Sequence, residues 1–144
     1  MRRSEKTEYS ESFHSALIAR CGMNCGICIG HLREKNRCMG CNADDARKSK
    51  HCVVCRIRNC VVTEVREQKF CFECDTFPCT RLSQLDKRYR MKYGMSMIGN
   101  LHGIRELGLE GFVSRERDRW KCKECGGVIC VHRASCIYCG HYWR

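Results

Sequence analysis

The sequence predicts a small metal-stabilised α+β fold, with an irregular multi-knuckle N-terminal half, two or three helices, and a C-terminal zinc ribbon. Three observations predict it. Of the 144 residues, 16 are cysteine. The 43% hydrophobic content includes those cysteines, so the core is thin, and small chains with thin cores usually need disulfides or metals. The cysteines recur in C-x2-C and C-x2-C-x4-C units, a spacing typical of metal sites.

The cysteines point to metal rather than to disulfides. No stretch approaches the ~20 apolar residues of a membrane span, and residues 1–20 lack the apolar segment of a secretory signal. We therefore expect a cytoplasmic protein with no membrane span. Thiols stay reduced in that compartment, so dense C-x2-C pairs indicate metal binding.

The C-terminal stretch, residues 120–144, carries two C-x2-C pairs separated by ten residues. Two such pairs suit a tetrahedral site in which four thiolates bind one zinc ion. Gly126 and Gly140 follow the pairs and permit tight backbone turns, and the residues between the pairs resemble a strand. The expected ligands of this zinc ribbon are Cys122, Cys125, Cys136 and Cys139, and two further candidate ligands are Cys130 and His132.

The N-terminal half contains eleven cysteines whose pairing the spacing leaves open. The ten-residue repeat favours one site made of Cys38, Cys41, Cys52 and Cys55. A competing site combines the first two pairs, Cys25, Cys28, Cys38 and Cys41. The last four cysteines of this half would form another site, made of Cys60, Cys71, Cys74 and Cys79. Three early cysteines then need a fourth ligand from His31, His51 or Cys130; these three are Cys21, Cys25 and Cys28.

The cysteine pattern is compatible with two kinds of metal group. We expect three to four Zn²⁺ ions, and the alternative is an iron–sulfur cluster, because cysteine thiolates bind both. The ferredoxin run C-x2-C-x2-C-x3-C-P is missing from the sequence.

Four motifs resemble one known family. They are CGMNCGIC at 21–28, RCMGC at 37–41, CRIRNC at 55–60 and FCFECDTFPC at 70–79. Together they resemble an uncharacterised small cysteine-rich domain of archaea and anaerobic bacteria, over about residues 20–120 and into the ribbon. The resemblance implies a cytoplasmic metal-binding protein and implies no particular reaction.

The sequence pattern between the cysteine clusters predicts helices. Thr80 is the predicted cap of a first helix that Gly94 ends, Ser96 caps a second that Gly108 ends, and a third follows. The predicted organisation is a flexible N-terminal segment, a cysteine-rich metal-binding region, a helical segment and the zinc ribbon, at residues 1–19, 20–80, 81–119 and 120–144.

The chain is basic, with 27 Lys and Arg against 16 Asp and Glu, a formal net charge of +11. Four zinc ions, each bound by four thiolates, would lower this to roughly +3, so the total charge is weak evidence for nucleic acid. A local stripe on the first helix is the better candidate for contact with nucleic acid or an acidic partner. Its residues are Arg81, Lys87, Arg88, Arg90 and Lys92.

The motifs of the sequence favour a non-catalytic protein over an enzyme. The zinc deaminase signature, H-E-x-x-H and a phosphate-binding loop are all missing from the sequence, and closed all-cysteine sites are typically structural. We therefore predict a non-catalytic zinc protein that acts as an interaction or regulatory module for a macromolecular partner, with a redox response because oxidised thiolates release their ion. A protein partner is favoured over nucleic acid. The alternatives are a nucleic-acid-binding zinc protein and an iron–sulfur redox protein.

Overall fold

The computed structural model describes residues 13–144, apart from the side chain of His51. Five α-helices follow one another along this part of the chain: α1 (Ile29–Leu32), α2 (Lys50–Val53), α3 (Val61–Val65), α4 (Thr80–Tyr93) and α5 (Met97–Arg119). Short 3₁₀ turns lie in the N-terminal half at Ser15–Leu17, Cys25–Ile27, Asp45–Arg47 and Cys71–Glu73. No helix within residues 13–144 is long and apolar enough to cross a membrane.

Strand structure is nearly lacking in the described residues. The β-pairing consists of three isolated bridges, at Ile18–Asn24, Lys121–Val128 and Ser135–Tyr142. The strand content that an α+β fold requires is therefore nearly missing from these residues, and helical turns occupy the irregular N-terminal half. The physical reason is that cysteines two to four residues apart, interspersed with glycine, favour turns over the alternating pattern of a strand.

The two long helices begin and end close to the predicted residues. Gly94 ends α4 in the left-handed conformation (φ 69°), which glycine adopts at little cost. The Ser96 side chain caps α5 by accepting a backbone hydrogen bond at 2.9 Å. Gly108 interrupts α5 with non-helical angles (φ 75°, ψ 163°), so the predicted second and third helices are two halves of α5. At the start of α4 the N-cap is Cys79 rather than Thr80, without a side-chain hydrogen bond.

One hydrophobic core joins both ends of the described chain. Leu82 of α4, Leu101 and Phe112 of α5, and Val128 and Val131 of the C-terminal segment all have no exposed surface and share this core. The backbone also connects the two ends, because the Val131 N–H donates to the Ile27 carbonyl at 2.9 Å. The C-terminal segment therefore packs into the N-terminal half.

Part of the stretch expected to be a flexible N-terminal segment belongs to this core. Residues 1–12 lie outside the described residues, whereas Phe13, Leu17 and Ile18 are almost completely buried. Arg117 of α5 donates a hydrogen bond to the Phe13 carbonyl at 3.2 Å. Burial of these apolar side chains stabilises the ordered position of residues 13–18.

Two contacts tie α5 to its neighbours. Gly22, in the first cysteine loop, has φ 91°, and a Cβ there would lie 2.7 Å from the Met97 carbonyl oxygen, so only glycine permits this close approach. On α4, the buried Asp86 carboxylate accepts hydrogen bonds from Ser96 Oγ (2.6 Å) and the Ile98 N–H (3.0 Å) at the start of α5. These contacts fix the first turn of α5 against both the cysteine loop and α4.

Candidate metal centre

Two turns of the same geometry form the C-terminal cysteine site. They span residues 122–127 and 136–141. In each turn the backbone N–H of the first cysteine donates to the carbonyl of the residue five positions later (2.8 Å). The carbonyl of the same cysteine accepts a hydrogen bond from the N–H four positions later (2.9 Å). Gly126 (φ 75°) and Gly140 (φ 81°) supply the left-handed backbone that closes the turns. The predicted role of these glycines agrees with the geometry, and the two turns carry the cysteines to one point.

The sulfur atoms of these turns have the spacing of a tetrahedral metal site. The Sγ atoms of Cys122 and Cys139 are 3.7 Å apart, and those of Cys125 and Cys136 are 3.6 Å apart. All four lie within 4.8 Å of one another. Zinc–sulfur bonds of about 2.3 Å in a tetrahedron place sulfur atoms about 3.8 Å apart, whereas a disulfide requires about 2.05 Å. The four thiols therefore fit one metal ion.

The environment of this site favours one thiolate in advance of the metal. Burial raises the pKa of Cys122, but hydrogen bonds from the backbone N–H groups of Cys125 and Glu124 and from neighbouring thiols outweigh it and lower the pKa to about 7. Burial raises the pKa of Cys136 to about 12. Metal coordination requires thiolates, so binding of a cation at this site would release thiol protons.

The two further candidate ligands of the ribbon, Cys130 and His132, lie outside the set of four cysteines. Burial raises the pKa of Cys130, which lies near Cys28 and outside the four-cysteine set. His132 accepts the Ile29 N–H at Nδ1 (3.3 Å), and its Nε2 is 2.8 Å from the Tyr89 hydroxyl. Since both ring nitrogens make protein hydrogen bonds, this imidazole joins the C-terminal segment to α4 in the present arrangement.

The first N-terminal group of thiols, the 25–52 cluster, consists of Cys25, Cys38, Cys41 and Cys52. The Cys41 N–H donates to Cys25 Sγ at 3.4 Å. A hydrogen bond with the Cys25 thiol, followed by burial, holds the pKa of Cys41 well above its usual value, although the Cys52 thiol lowers it. The pKa of Cys52 is raised mainly by its hydrogen bond with Cys41, and Cys52 also bonds to Cys38. The cluster therefore contains the pair common to both competing predictions, Cys38 and Cys41, together with one further cysteine from each, Cys52 and Cys25.

The second N-terminal group lines a cavity of about 380 Å³ that we call the cysteine cavity. Its cysteines are those predicted to form one site: Cys60, Cys71, Cys74 and Cys79. Backbone N–H groups of Thr63 and Val62 lower the pKa of Cys60, and the charge of Arg81 lowers it further. Burial raises the pKa of Cys71 to about 12.

Cys21 and Cys55 lie beside the second N-terminal group. Burial raises the pKa of Cys21 to about 12, and the nearby thiols of Cys71 and Cys55 raise it further. Cys55, which the ten-residue repeat assigned to the same site as Cys38, Cys41 and Cys52, is thus found next to Cys21. No disulfide joins any of the sixteen cysteines, all of which lie within residues 13–144.

Arg20 is a structurally important residue that the sequence reasoning missed. Its guanidinium donates to the Arg58 carbonyl (2.8 Å) and to Thr63 Oγ1 (2.7 Å), and it pairs with Glu64 (3.3 Å). It thereby joins the first cysteine loop to α3, next to the cysteine cavity. One basic residue among 27 carries no local signal of such a role.

The basic stripe on α4 is exposed, as an electrostatic contact surface requires. The Arg90 guanidinium donates to Asp86 at 2.6 Å, and Arg81 also lines the cysteine cavity. All five side chains face solvent: Arg81, Lys87, Arg88, Arg90 and Lys92.

Comparison with known proteins identifies a relationship for the N-terminal half. Residues 17–84 match the model of a family described as a protein of unknown function (DUF3795). No curated protein and no solved structure matches the chain. The matched stretch contains all eleven N-terminal cysteines and the four motifs between residues 21 and 79. This match confirms the resemblance of the cysteine-rich N-terminal half to a family of unknown function.

Proposed function

We propose that the protein is a non-catalytic zinc-binding module of the cytoplasm, in which thiolate-bound ions hold the fold that presents its surface to a macromolecular partner. The observation that carries this proposal is the set of four C-terminal Sγ atoms, with separations of 3.6 and 3.7 Å across two equivalent turns. Soft thiolates in a tetrahedron suit zinc. The expected ligands remain Cys122, Cys125, Cys136 and Cys139.

A structural role for the ion follows from the closed donor set. Four cysteines complete the tetrahedron and leave no position for water or substrate, whereas catalytic zinc keeps one position open. The residues between and beside the ligands are core residues, among them Val128, Ile137 and Tyr138. An ion here would therefore hold these side chains in the core, and oxidation of its thiolates would release both ion and structure.

An exposed apolar patch on and before α3 supports a protein as the partner. Val54 and Val61 are each 72% exposed, Val65 is 77% exposed, and Val62 is also exposed. Contiguous exposed apolar surface commonly marks protein contacts. These valines lie within the family-matched residues 17–84, and Val62 also lines the cysteine cavity.

Metal analysis of the full chain tests the zinc proposal. Protein purified without oxygen is expected to retain zinc at one ion or more per chain, measured by elemental analysis. Replacement of that zinc by Co²⁺ should give the intense visible absorption of tetrahedral cobalt–thiolate coordination. Protein that retains no zinc, or that gives only the weak spectrum of octahedral cobalt, would contradict the proposal.

A second candidate function, nucleic-acid binding, is favoured by the exposed stripe on α4. Affinity for duplex DNA or single-stranded RNA should then fall steeply with salt, because phosphate contacts release counterions. The double variant Lys87→Gln/Arg88→Gln should reduce the salt slope by about 2, while the control Arg105→Gln on α5 should leave it unchanged. Binding that is insensitive to salt, or equal loss in the control, would rule this function out.

A further inference from the structure

The cysteine cavity differs from the C-terminal site of the same molecule in the placement of its cysteines. Its volume is about 380 Å³. Its four cysteines come from separate elements. Cys60 and Cys79 immediately precede α3 and α4, and Cys71 and Cys74 bracket a 3₁₀ turn. The cavity therefore lies between the first residues of two helices and one turn.

The thiols of this cavity are also spread farther apart than those of the C-terminal site. Within residues 13–144, the one group of three or more metal-binding side chains whose ligand atoms all lie within 4.8 Å of each other is the C-terminal four. The four thiols of the cavity do not reach that spacing, although all of them line one space. A single ion draws its thiolates to about 3.8 Å, so these four thiols would have to move closer together to bind one.

An iron–sulfur cluster has the dimensions and ligand chemistry that such a cavity requires. It is a group several atoms across, and four cysteine thiolates hold it by its iron atoms, so its thiolates stand farther apart than those of a single ion. Apolar side chains of Ile57, Phe77 and Leu82 complete the wall and would limit solvent access. Solvent access and hydrogen bonding to sulfur are the features by which proteins tune such clusters.

The charges around the cavity agree with this ligand. A cluster bound by four thiolates carries net negative charge. Arg56 and Arg81 both line the cavity, and Arg20 lies close enough to Cys71 to lower its pKa. Three guanidinium groups therefore surround the position of the thiolates.

We propose that Cys60, Cys71, Cys74 and Cys79 bind an iron–sulfur cluster in the cysteine cavity, while the C-terminal four cysteines bind a single zinc ion. Binding replaces four S–H bonds by four Fe–Sγ bonds, and the four protons leave to solvent without electron transfer to the protein. This inference rests on the proposed function in taking the chain to be a metal–thiolate protein, and it assigns two kinds of metal group to two kinds of site.

The test is anaerobic reconstitution of the zinc-loaded full chain with Fe(II), Fe(III) and sulfide, followed by analysis of iron, acid-labile sulfide and zinc. The native chain should gain iron and sulfide in equal amounts, with the broad visible absorption of iron–thiolate charge transfer. Cys60→Ser and Cys74→Ser, at partly exposed positions, should each lose one cluster's content of iron and sulfide and keep their zinc. The matched variant Cys125→Ser, also at a partly exposed position, should lose zinc and keep the cluster.

Several outcomes would overturn the inference. One is a native chain that binds iron without sulfide, or that fills the cavity with a further zinc ion. Another is unchanged iron and sulfide in both Cys60→Ser and Cys74→Ser. The retained zinc of these variants reports that the fold survives the substitution. Loss of the zinc site in the native chain would contradict the proposed function instead, so the two failures are distinguishable.

Discussion

Replacement of Cys136 by serine is expected to abolish zinc binding at the C-terminal site and to unfold residues 120–144. Cys136 is buried and its sulfur accepts the Tyr138 N–H at 3.5 Å. Zinc binding to such sites supplies about 10–16 kcal/mol of folding free energy, so loss of one ligand removes most of the force that orders this segment.

Zinc content and tryptophan fluorescence together measure that effect. The chain has two tryptophans, and both lie at this end: Trp120 is buried and packs edge to face on Trp143 with ring centroids 5.3 Å apart. Their emission should shift to the red in Cys136→Ser. The control Cys130→Ala removes another buried thiol outside the set and should retain zinc and fluorescence. Full zinc content in Cys136→Ser would refute the assigned ligand set.

Replacement of Asp86 by alanine is expected to lower the free energy of unfolding by about 3 kcal/mol, because hydrogen bonds to charged groups contribute about 1.5–3 kcal/mol each. The carboxylate accepts hydrogen bonds from Arg90, Ser96 and the Ile98 N–H, and its loss would leave the donors at the start of α5 without their acceptor. Urea unfolding measures the change. Asp118→Ala, an exposed position on α5, is the matched control and should change stability little.

The same carboxylate predicts a pH dependence of stability. Burial alone would raise the pKa of Asp86, but hydrogen bonds from Ser96, Ile98 and Arg90 outweigh burial and lower it. A lowered pKa in the folded state means that the stabilisation is present at neutral pH and is lost as the pH falls through that folded-state value. Asp86→Ala should therefore show a weaker acid-induced loss of stability than the native chain. Equal acid sensitivity in both proteins would show that Asp86 is not the responsible group.

The sequence predicted best those features that depend on neighbouring residues. Gly94, Ser96 and Gly108 mark helix boundaries by local backbone preferences, and the structure has boundaries at these residues. The C-terminal cysteine set was also predictable, because two turns fourteen residues apart bring its members together. Each of these features involves one short segment whose conformation is dictated by glycine, serine or cysteine spacing.

The grouping of Cys25, Cys38, Cys41 and Cys52 depends on long-range packing and was not predictable from spacing. Cys25 reaches Cys41 and Cys52 only because the intervening loops fold back over the core, and Cys130 lies near Cys28 from more distant sequence. His132 looked like a ligand in a cysteine-rich segment, yet its partners Ile29 and Tyr89 come from elsewhere in the fold. Spacing along the chain carries no information about such tertiary partners.

The backbone link between Val131 and Ile27 has a consequence for synthesis. The N-terminal half cannot complete its core until the ribosome has released residues as far as Val131, since that residue fills space beside Ile27 and hydrogen-bonds to it. Contacts so distant in sequence form slowly because loop closure precedes any gain from packing. During that interval the eleven N-terminal thiols stay accessible to the metals and oxidants of the surrounding solution. Metal ions can therefore reach those thiols before the core around Ile27 is complete.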